Sequence, residues 1–112
     1  MTISEAAKAL GAEIVQKDFK DEKLSSAYTS DLLSDVMAHA KSGGALITIQ
    51  AHKNTVAVAT LVNISVVIIC NNRPIPDDMV ASAKDEGIAI FLTKENQFTV
   101  SGKLYKLFSE GN

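Results

Sequence analysis

Apolar residues along this chain fall into short runs separated by polar turns, and the period of each run predicts a secondary structure. Three runs are apolar at nearly every position: ALITIQ (45–50), SVVIIC (65–70) and IAIFL (88–92). Short runs rich in β-branched residues are typical of strands that helices cover on both faces, as in a parallel sheet. Two less regular runs, AEIV (12–15) and SSAYT (25–29), predict shorter strands.

Helix start and stop signals stand between these strands. Thr2 and Glu5 have the spacing of a capping box that opens a helix, which Gly11 ends. Ser30 is the predicted N-cap of a helix over DLLSDVMAHAKS, and Asn54 is the predicted N-cap of a helix over TVAVATLVN. In the first of these two helices, one face is apolar and predicts a buried stripe of Leu32, Leu33, Val36, Met37 and Ala40.

Two more helices are predicted towards the carboxyl terminus, one between Pro76 and Gly87 and one over ENQFTVSGKLYKLF. Strand and helix therefore alternate from residue 45 onward. With right-handed crossovers, this order predicts an α/β fold, a three-layer α/β/α sandwich with a mostly parallel sheet. At 112 residues and 46% apolar content, the chain is the size of a single domain, 1–112, with one core.

Composition and charge exclude several classes of function. The formal net charge is −2, and the lysines are scattered among acidic residues, so no basic stripe predicts nucleic-acid binding. Cys70 is the single cysteine, which excludes an intrachain disulfide, and its place at the end of an apolar run predicts a buried thiol. The segment MTISEAAKAL lacks the features of a signal peptide, and no apolar run reaches the ~20 residues of a membrane span. We therefore expect a cytoplasmic protein with no membrane partner.

Polar residues follow each predicted strand, at the edge where open α/β sheets bind their ligands. They are Thr29, Ser30 and Asp31 after the second strand, Gln50, His52, Lys53 and Asn54 after the third, Asn71, Asn72 and Arg73 after the fourth, and Thr93, Lys94, Glu95 and Asn96 after the fifth. Such an edge suits a small polar or anionic ligand, with helix N-termini and cationic side chains as donors. The alternative is that these residues only form solvated turns and caps, which favour the same residue types.

Other catalytic and metal-binding patterns find little support. Asp31, Asp35 and His39 recur at i,i+4 spacing and, with His52, could surround a metal ion. Two histidines and one cysteine without a His-Glu-x-x-His pattern argue against that site, and no cofactor is predicted. The SGGA stretch (42–45) ends a helix and precedes a strand, which is the reverse of a phosphate-binding P-loop. No Gly-x-Ser-x-Gly turn supports Ser-His-Asp catalysis.

Several segments together resemble the DRTGG domain family over about residues 12–108: SDLLSDVMAHA, GGALITIQAHKNTVAVATL, NNRPIPDDM and EGIAIFLTKENQFTVSGKLYKL. The five letters of the family name are absent, and CNNRP occupies the turn after the buried strand. The resemblance implies a fold similar to the amino-terminal domain of HPr kinase/phosphorylase and a regulatory or assembly role, with catalysis left to other domains. Free-standing members look like accessory proteins of anaerobic redox and iron-hydrogenase systems. The motif positions matched here are Asp31, Ser34, Asp35, Gln50, His52 and Asn54.

Three functions stay open on the sequence. The first is a non-enzymatic regulatory module that senses a nucleotide or other phosphorylated metabolite through His52, Arg73 and helix N-termini. The second is a structural interaction domain, in which the Asp31 and Asp35 face and the 50–54 loop form a homodimer or an interface with another protein. The third is an enzyme that uses His52 and Asp35 as acid and base. The predicted ligand-binding residues are Asp31, Ser34, Asp35, Gln50, His52, Asn54 and Arg73, and no catalytic or metal-binding residue is predicted.

Overall fold

A computed structural model of the chain describes residues 1–111, which form five strands and five helices. The predicted three-layer α/β/α sandwich with a mostly parallel sheet is confirmed. In chain order the elements are α1 (Ile3–Leu10), β1 (Glu13–Gln16), β2 (Ala27–Thr29), α2 (Leu33–His39), β3 (Ala45–Thr48), α3 (Lys53–Leu61), β4 (Val66–Ile69), α4 (Asp77–Glu86), β5 (Ala89–Leu92) and α5 (Gln97–Ser109).

The five strands form one sheet in the order β1-β5-β4-β3-β2. Strands β2, β3, β4 and β5 are parallel, whereas β1 pairs antiparallel with β5 at one edge. Every residue of β3 and β4 is buried, as their unbroken apolar sequences predict. Strand β2 forms the opposite edge and pairs with β3 alone.

Helices cover both faces of this sheet. On one face, α1 and α5 bury Ile3 and Leu104 against a cluster that includes Phe91 of β5. On the other face lie α2, α3 and α4, which connect the parallel strands in turn and bury Val36 and Met79. Because all three connections cross the same face, the strand order proceeds in one direction from β2 to β5. Within residues 1–111, no helix combines the length and the apolarity needed to cross a membrane.

An irregular pairing holds β1 at its edge of the sheet. The register between β1 and β5 shifts between Ile14 and Gln16, and the Gln16 side chain is buried at this point. Its Nε2 donates to the carbonyls of Ile88 at 2.9 Å and Asp18 at 3.0 Å, and its Oε1 accepts from the Asp18 N–H at 2.7 Å. The buried amide therefore satisfies backbone groups that the shifted ladder leaves unpaired.

The predicted ends of α1 are confirmed in atomic detail. The Thr2 N–H donates to Glu5 Oε1 at 2.8 Å, and the Glu5 N–H donates to Thr2 Oγ1 at 3.2 Å, which is a complete capping box. Gly11 ends the helix with a φ of 63°, a left-handed conformation that glycine adopts at little cost. Gly87 ends α4 in the same way, as its position after the predicted helix indicates.

The predicted N-caps of α2 and α3 are wrong. Helix α2 begins at Leu33, with Leu32 as an N-cap that has no side-chain bond, and the Ser30 hydroxyl instead accepts from the Leu32 N–H at 3.1 Å. Helix α3 begins at Lys53, so Asn54 lies inside its first turn and His52 is the N-cap residue. The turn after β2 therefore takes up two residues that the sequence pattern assigns to α2, whereas α3 begins two residues earlier than the pattern predicts.

The predicted apolar stripe of α2 is buried only in part. Val36 is fully buried, and Leu33 and Ala40 contact the same core cluster, but Leu32 is 65% exposed and Met37 is 47% exposed. The helix has seven residues and ends at His39, so only a narrow face meets the sheet. The stripe predicted from periodicity therefore includes two apolar side chains that stay at the surface.

Candidate functional site

The carboxyl ends of β2, β3, β4 and β5 lie along one edge of the sheet because the four strands are parallel. We call this edge the carboxyl rim and define it as residues 30–32, 49–54, 70–73 and 93–97. The polar residues predicted to follow the strands all fall within it or directly beside it.

Asp31 is the centre of the hydrogen-bond network at the carboxyl rim. Its Oδ1 accepts from Thr48 Oγ1 at 2.8 Å, from the Ile49 N–H at 2.9 Å and from Gln97 Nε2 at 3.0 Å. These donors belong to the end of β3, the loop after β3 and the first residue of α5. One carboxylate oxygen therefore fixes the loop after β2 to two other elements, which explains why Asp31 lies outside α2. Its Oδ2 makes no hydrogen bond within residues 1–111.

Gln50 is also held by this network. Its Nε2 donates to the Asp31 carbonyl at 3.0 Å, and its N–H donates to Thr48 Oγ1 at 3.1 Å. Its own carbonyl accepts from the buried Thr55 hydroxyl at 2.7 Å. Gln50 therefore positions the loop between β3 and α3, and it bonds to Asp31, another of the residues predicted to bind a ligand.

Asp35 belongs to a separate cluster on α2. The Tyr28 hydroxyl donates to Asp35 Oδ2 at 2.7 Å, and His39 Nδ1 lies 3.0 Å from Asp35 Oδ1. The Tyr28 and His39 rings are stacked, with their centroids 6.3 Å apart. The hydrogen bond from Tyr28 is the main cause that lowers the pKa of Asp35, and the same bond raises the pKa of Tyr28. Asp35 therefore bonds to His39 and not to His52.

The remaining predicted site residues are exposed. His52 and Asn54 lie at the start of α3, and Arg73 lies in the loop after β4. Their side chains make no hydrogen bond or ion pair within residues 1–111. Ser34 is exposed on α2, outside the carboxyl rim. The structure thus brings Asp31 and Gln50 together, with His52, Asn54 and Arg73 along the same rim, and separates Ser34 and Asp35 from them.

Gln97, Thr48 and Glu95 lie in or directly beside the carboxyl rim and are not among the seven predicted ligand-binding residues. Glu95 Oε1 accepts from Lys103 Nζ at 2.8 Å, while its Oε2 is buried and has no hydrogen-bond partner among the described residues. Gln97 reaches Asp31 across 66 residues of sequence, a contact that no local pattern could indicate. Thr48 had one available signal, because it is a hydroxyl at the end of an otherwise apolar strand.

Cys70 is buried at the end of β4, as its apolar run predicts. Burial is the main cause that raises the pKa of its thiol to about 11, and the charges of Asp31 and Glu95 add to the effect. The thiol is therefore protonated and unreactive near neutral pH. Both carboxylates therefore lie close enough to the end of β4 to influence this one side chain.

Metal ligands do not come together in the described part of the chain. No group of three or more His, Cys, Asp or Glu side chains within residues 1–111 is arranged to hold a metal ion. The metal ligands considered from their spacing in the sequence belong to different clusters. Asp31 bonds to Thr48 and Gln97, while Asp35 bonds to Tyr28 and His39.

A large cavity lies beside the rim and not on it. It is a groove of about 740 Å³ between the edge strand β2 and helix α5, and we call it the β2–α5 groove. Its volume is typical of a small-molecule site or of an apolar contact surface. The groove is lined by Ser25, Ser26, Ala27, Thr29, Ile47, Phe98, Ser101, Gly102, Tyr105 and Phe108. A smaller cavity of about 400 Å³ lies at the rim beside Lys94 and Glu95.

Comparison with known proteins agrees with the resemblance seen in the sequence. Among solved structures, the chain is similar to the CBS and DRTGG domains of the regulatory region of Clostridium perfringens pyrophosphatase, crystallised with its activator diadenosine tetraphosphate. The TM-score is 0.71 at 15% identity, over 90% of this chain and 44% of that one, so this chain spans less than half of that structure. No curated protein matches. The family model for the DRTGG domain matches residues 5–107, and the chain therefore belongs to the DRTGG domain family.

Proposed function

We propose that this chain is a regulatory module that senses a nucleotide or another small phosphorylated metabolite at the carboxyl rim. The observation that carries the proposal is the membership of residues 5–107 in a domain family that also occurs in a regulatory region complexed with a nucleotide activator. The proposal assigns no catalytic step to the chain. The protein that responds to it would be a separate cytoplasmic partner.

The start of α3 is the part of the rim that best suits phosphate. Its N-cap, His52, makes no side-chain bond to the helix, and its first turn contains no acidic residue. By contrast, α1 has a capping box, α5 is capped by Asn96, and α4 has two aspartates in its first turn. The first N–H groups of a helix have no intrahelical acceptor and favour an anion. His52, Lys53 and Arg73 supply cationic or hydrogen-bonding side chains nearby in the fold.

Asp31 suits the sugar of the same ligand. Its Oδ1 is saturated by three donors, so the carboxylate is held in one orientation. Its Oδ2 is the acceptor left for a ligand hydroxyl, which is the role that a carboxylate plays towards ribose in dinucleotide-binding folds. An acceptor at Asp31 and donors at α3 match the opposite hydrogen-bonding needs of ribose and phosphate.

A ligand panel with matched variants tests this proposal. Thermal unfolding of the purified chain is measured with adenine and guanine nucleotides, diadenosine tetraphosphate and inorganic phosphate. A ligand at about 100 times its Kd adds about 2.7 kcal/mol to the free energy of unfolding, which raises Tm by roughly 10 °C for a domain of this size. We expect at least one nucleotide to give such a shift.

The variants locate the site. Arg73→Ala and His52→Ala each remove one phosphate contact, and we expect the affinity to fall by about tenfold or more. Lys41→Ala is the charge-matched control. Lys41 is exposed and precedes the amino-terminal end of β3, whereas the carboxyl rim lies at the other end of the strands. The proposed site would be contradicted if no ligand raised the Tm. It would also be contradicted if the ligand raised the Tm of Arg73→Ala and His52→Ala as much as it raised that of Lys41→Ala.

The interaction role predicted for the Asp35 face of α2 stays a prediction. Both carboxylate oxygens of Asp35 already accept hydrogen bonds from Tyr28 and His39, so a partner would have to compete with them. The link to anaerobic redox and hydrogenase systems is likewise a prediction. It would be tested by whether the purified chain, with and without the nucleotide found above, changes the activity of such an enzyme.

A further inference from the structure

The outer edge of β2 presents backbone groups that nothing in the described chain satisfies. The Ser26 carbonyl accepts from β3 at 2.9 Å, and the Ser30 N–H donates to β3 at 3.2 Å, so the groups of residues 26, 28 and 30 point into the sheet. In a parallel ladder the alternate residues point the other way. Ala27 and Thr29 therefore direct two N–H and two C=O groups outward, away from β3.

This edge lacks most of the features that usually protect an edge strand, although it is only three residues long. Such strands are commonly shielded by charged residues, proline or a bulge that twists the edge away. The other edge of this sheet follows that rule, since β1 has an irregular register with β5 and an exposed Glu13. The segment around β2 is SSAYT (25–29), with no charge and no proline. The β2 edge is therefore open to pairing with another strand.

Exposed apolar side chains gather on the two helices that flank β2. Within residues 1–111, four of the five large exposed apolar side chains belong to α2, its N-cap or α5, and these four are Leu32, Met37, Phe98 and Tyr105. Both helices touch β2 directly. The Tyr28 hydroxyl bonds to α2 at 2.7 Å, and Thr29 Oγ1 lies 2.6 Å from Ser101 Oγ on α5. Phe98 is 87% exposed and Tyr105 is 76% exposed, both on the β2–α5 groove.

We infer that the β2 edge and the β2–α5 groove bind a second copy of this chain, with the two β2 strands antiparallel about a twofold axis beside Tyr28. In that register Ala27 faces Thr29 of the second copy, and Thr29 faces Ala27 of the second copy. Each such pair exchanges two N–H···O=C bonds. All four outward backbone groups of each copy then have partners, and the two sheets become one sheet of ten strands.

The same features favour a second copy over an unrelated peptide. An isologous contact needs a surface that complements itself, and Ala27 and Thr29 are placed symmetrically about Tyr28. The groove is lined by uncharged residues only, so two copies meet there without repulsion between like charges. A foreign strand would gain only the few backbone bonds of a three-residue edge, whereas a second copy adds its own Phe98 and Tyr105 to the contact.

Two exposed aromatic rings supply a substantial part of the contact area that a dimer requires. A buried aromatic side chain contributes roughly 150–250 Å². Phe98 and Tyr105, both mostly exposed in the single chain, therefore supply on the order of 300 Å² per copy. A stable interface buries about 800 Å² on each partner, so these two rings account for a large part of it. The groove walls, the strand edge, Leu32 and Met37 are available for the remainder.

Light scattering after size-exclusion chromatography tests the association, with full-length chain from low micromolar to near-millimolar concentration. We expect a mass of twice 11.9 kDa for the unaltered chain. Phe98→Lys places a charge in the groove, and Thr29→Pro removes an outward N–H without touching a bond to β3. Both variants should run as monomers. Leu61→Lys is the matched control, since Leu61 is 75% exposed on α3, away from β2, and this variant should stay dimeric.

Amide hydrogen exchange distinguishes strand pairing from any other dimer. In the unaltered chain the Ala27 and Thr29 amides should exchange slowly, and in Phe98→Lys they should exchange at least about tenfold faster while the Tyr28 amide is unchanged. Circular dichroism checks that each variant is folded. If Thr29→Pro does not fold, Phe98→Lys alone still tests the inference. A monomer at all concentrations, a dimer that both variants preserve, or fast exchange of Ala27 and Thr29 in the dimer would overturn the inference.

Discussion

Replacement of Asp31 by alanine should cost the fold far more than an exposed loop residue normally does. The substitution removes the acceptor of three hydrogen bonds, from Thr48 Oγ1, the Ile49 N–H and Gln97 Nε2. Thr48 is fully buried, and Ile49 is partly buried. Gln97 is also partly buried, but its flexible amide can turn towards water.

The magnitude follows from those two constrained donors. A buried donor left without an acceptor costs about 1–3 kcal/mol, and water that enters the space recovers part of this. We therefore expect Asp31→Ala to lower the free energy of unfolding by about 2–4 kcal/mol. Asp31→Asn keeps an acceptor oxygen but loses the charge, so it should cost roughly 1–2 kcal/mol.

Urea unfolding followed by circular dichroism measures these differences. Asp85→Ala is the control, because the Asp85 side chain is exposed in α4 and makes no hydrogen bond or ion pair within residues 1–111. Its effect should stay within about 0.5 kcal/mol. If Asp31→Ala unfolds at the same urea concentration as Asp85→Ala, the three bonds to Asp31 do not stabilise the fold, and the network cannot fix the carboxyl rim.

Four further predictions concern other parts of the molecule. The pKa of Asp35 is lowered in the folded state, so its stabilising contribution is present above the unfolded pKa and lost as the pH falls below about 4; Tyr28→Phe should reduce that acid-side dependence in urea titrations. The effect of Tyr28 on stability has the opposite pH dependence, because its raised pKa stabilises the fold below about pH 10 and this contribution is lost above it. The free energy of unfolding should therefore fall less above about pH 10 in Tyr28→Phe than in the unaltered chain. Gly102→Ala should raise the free energy of unfolding by about 0.5–1 kcal/mol, because an added Cβ meets nothing within 4 Å in the interior of α5; equal urea midpoints would contradict this. Cys70 should react with an aromatic disulfide reagent only as fast as the chain opens, and rapid labelling of the native chain would show that the thiol is accessible.

Local signals in the sequence were sufficient for most of the fold. Strands β3, β4 and β5 are continuous apolar runs because both faces of each strand are covered, and this requirement is visible in composition. The capping box of Thr2 and Glu5 and the glycines after α1 and α4 are also local features, each decided within four residues of chain. Elements of this kind depend little on the rest of the molecule.

The errors arise where distant contacts decide between local alternatives. Ser30 is a good N-cap residue by type, but the loop after β2 is held by Asp31 through bonds to β3 and α5. The helix therefore starts three residues after Ser30. Periodicity cannot show this, because the deciding donor, Gln97, lies 66 residues away.

The candidate site was predictable only in outline. Parallel strand order places the polar loops at one edge, and this reasoning correctly groups Asp31, Gln50 and His52 on the carboxyl rim. The sequence could not show that Asp31 and Asp35, four residues apart, belong to different clusters. Asp31 accepts a hydrogen bond from β3, while Asp35 accepts one from Tyr28 of the preceding strand. Exposed residues such as His52 and Arg73 have no internal partner, so only a bound ligand would reveal their roles.

The antiparallel pairing of β1 with β5 has a consequence for how the fold assembles. Strands β2 to β5 are joined by short crossovers, so each can pair soon after it is synthesised. Strand β1 is made before all of them, yet the Gln16 amide that holds it bonds to Ile88, 72 residues further along the chain. Closing so long a loop costs conformational entropy before any contact is gained. The first strand of the sequence therefore cannot join the sheet until β5 has been made, so the amino-terminal region depends on the carboxyl-terminal region to complete the sheet.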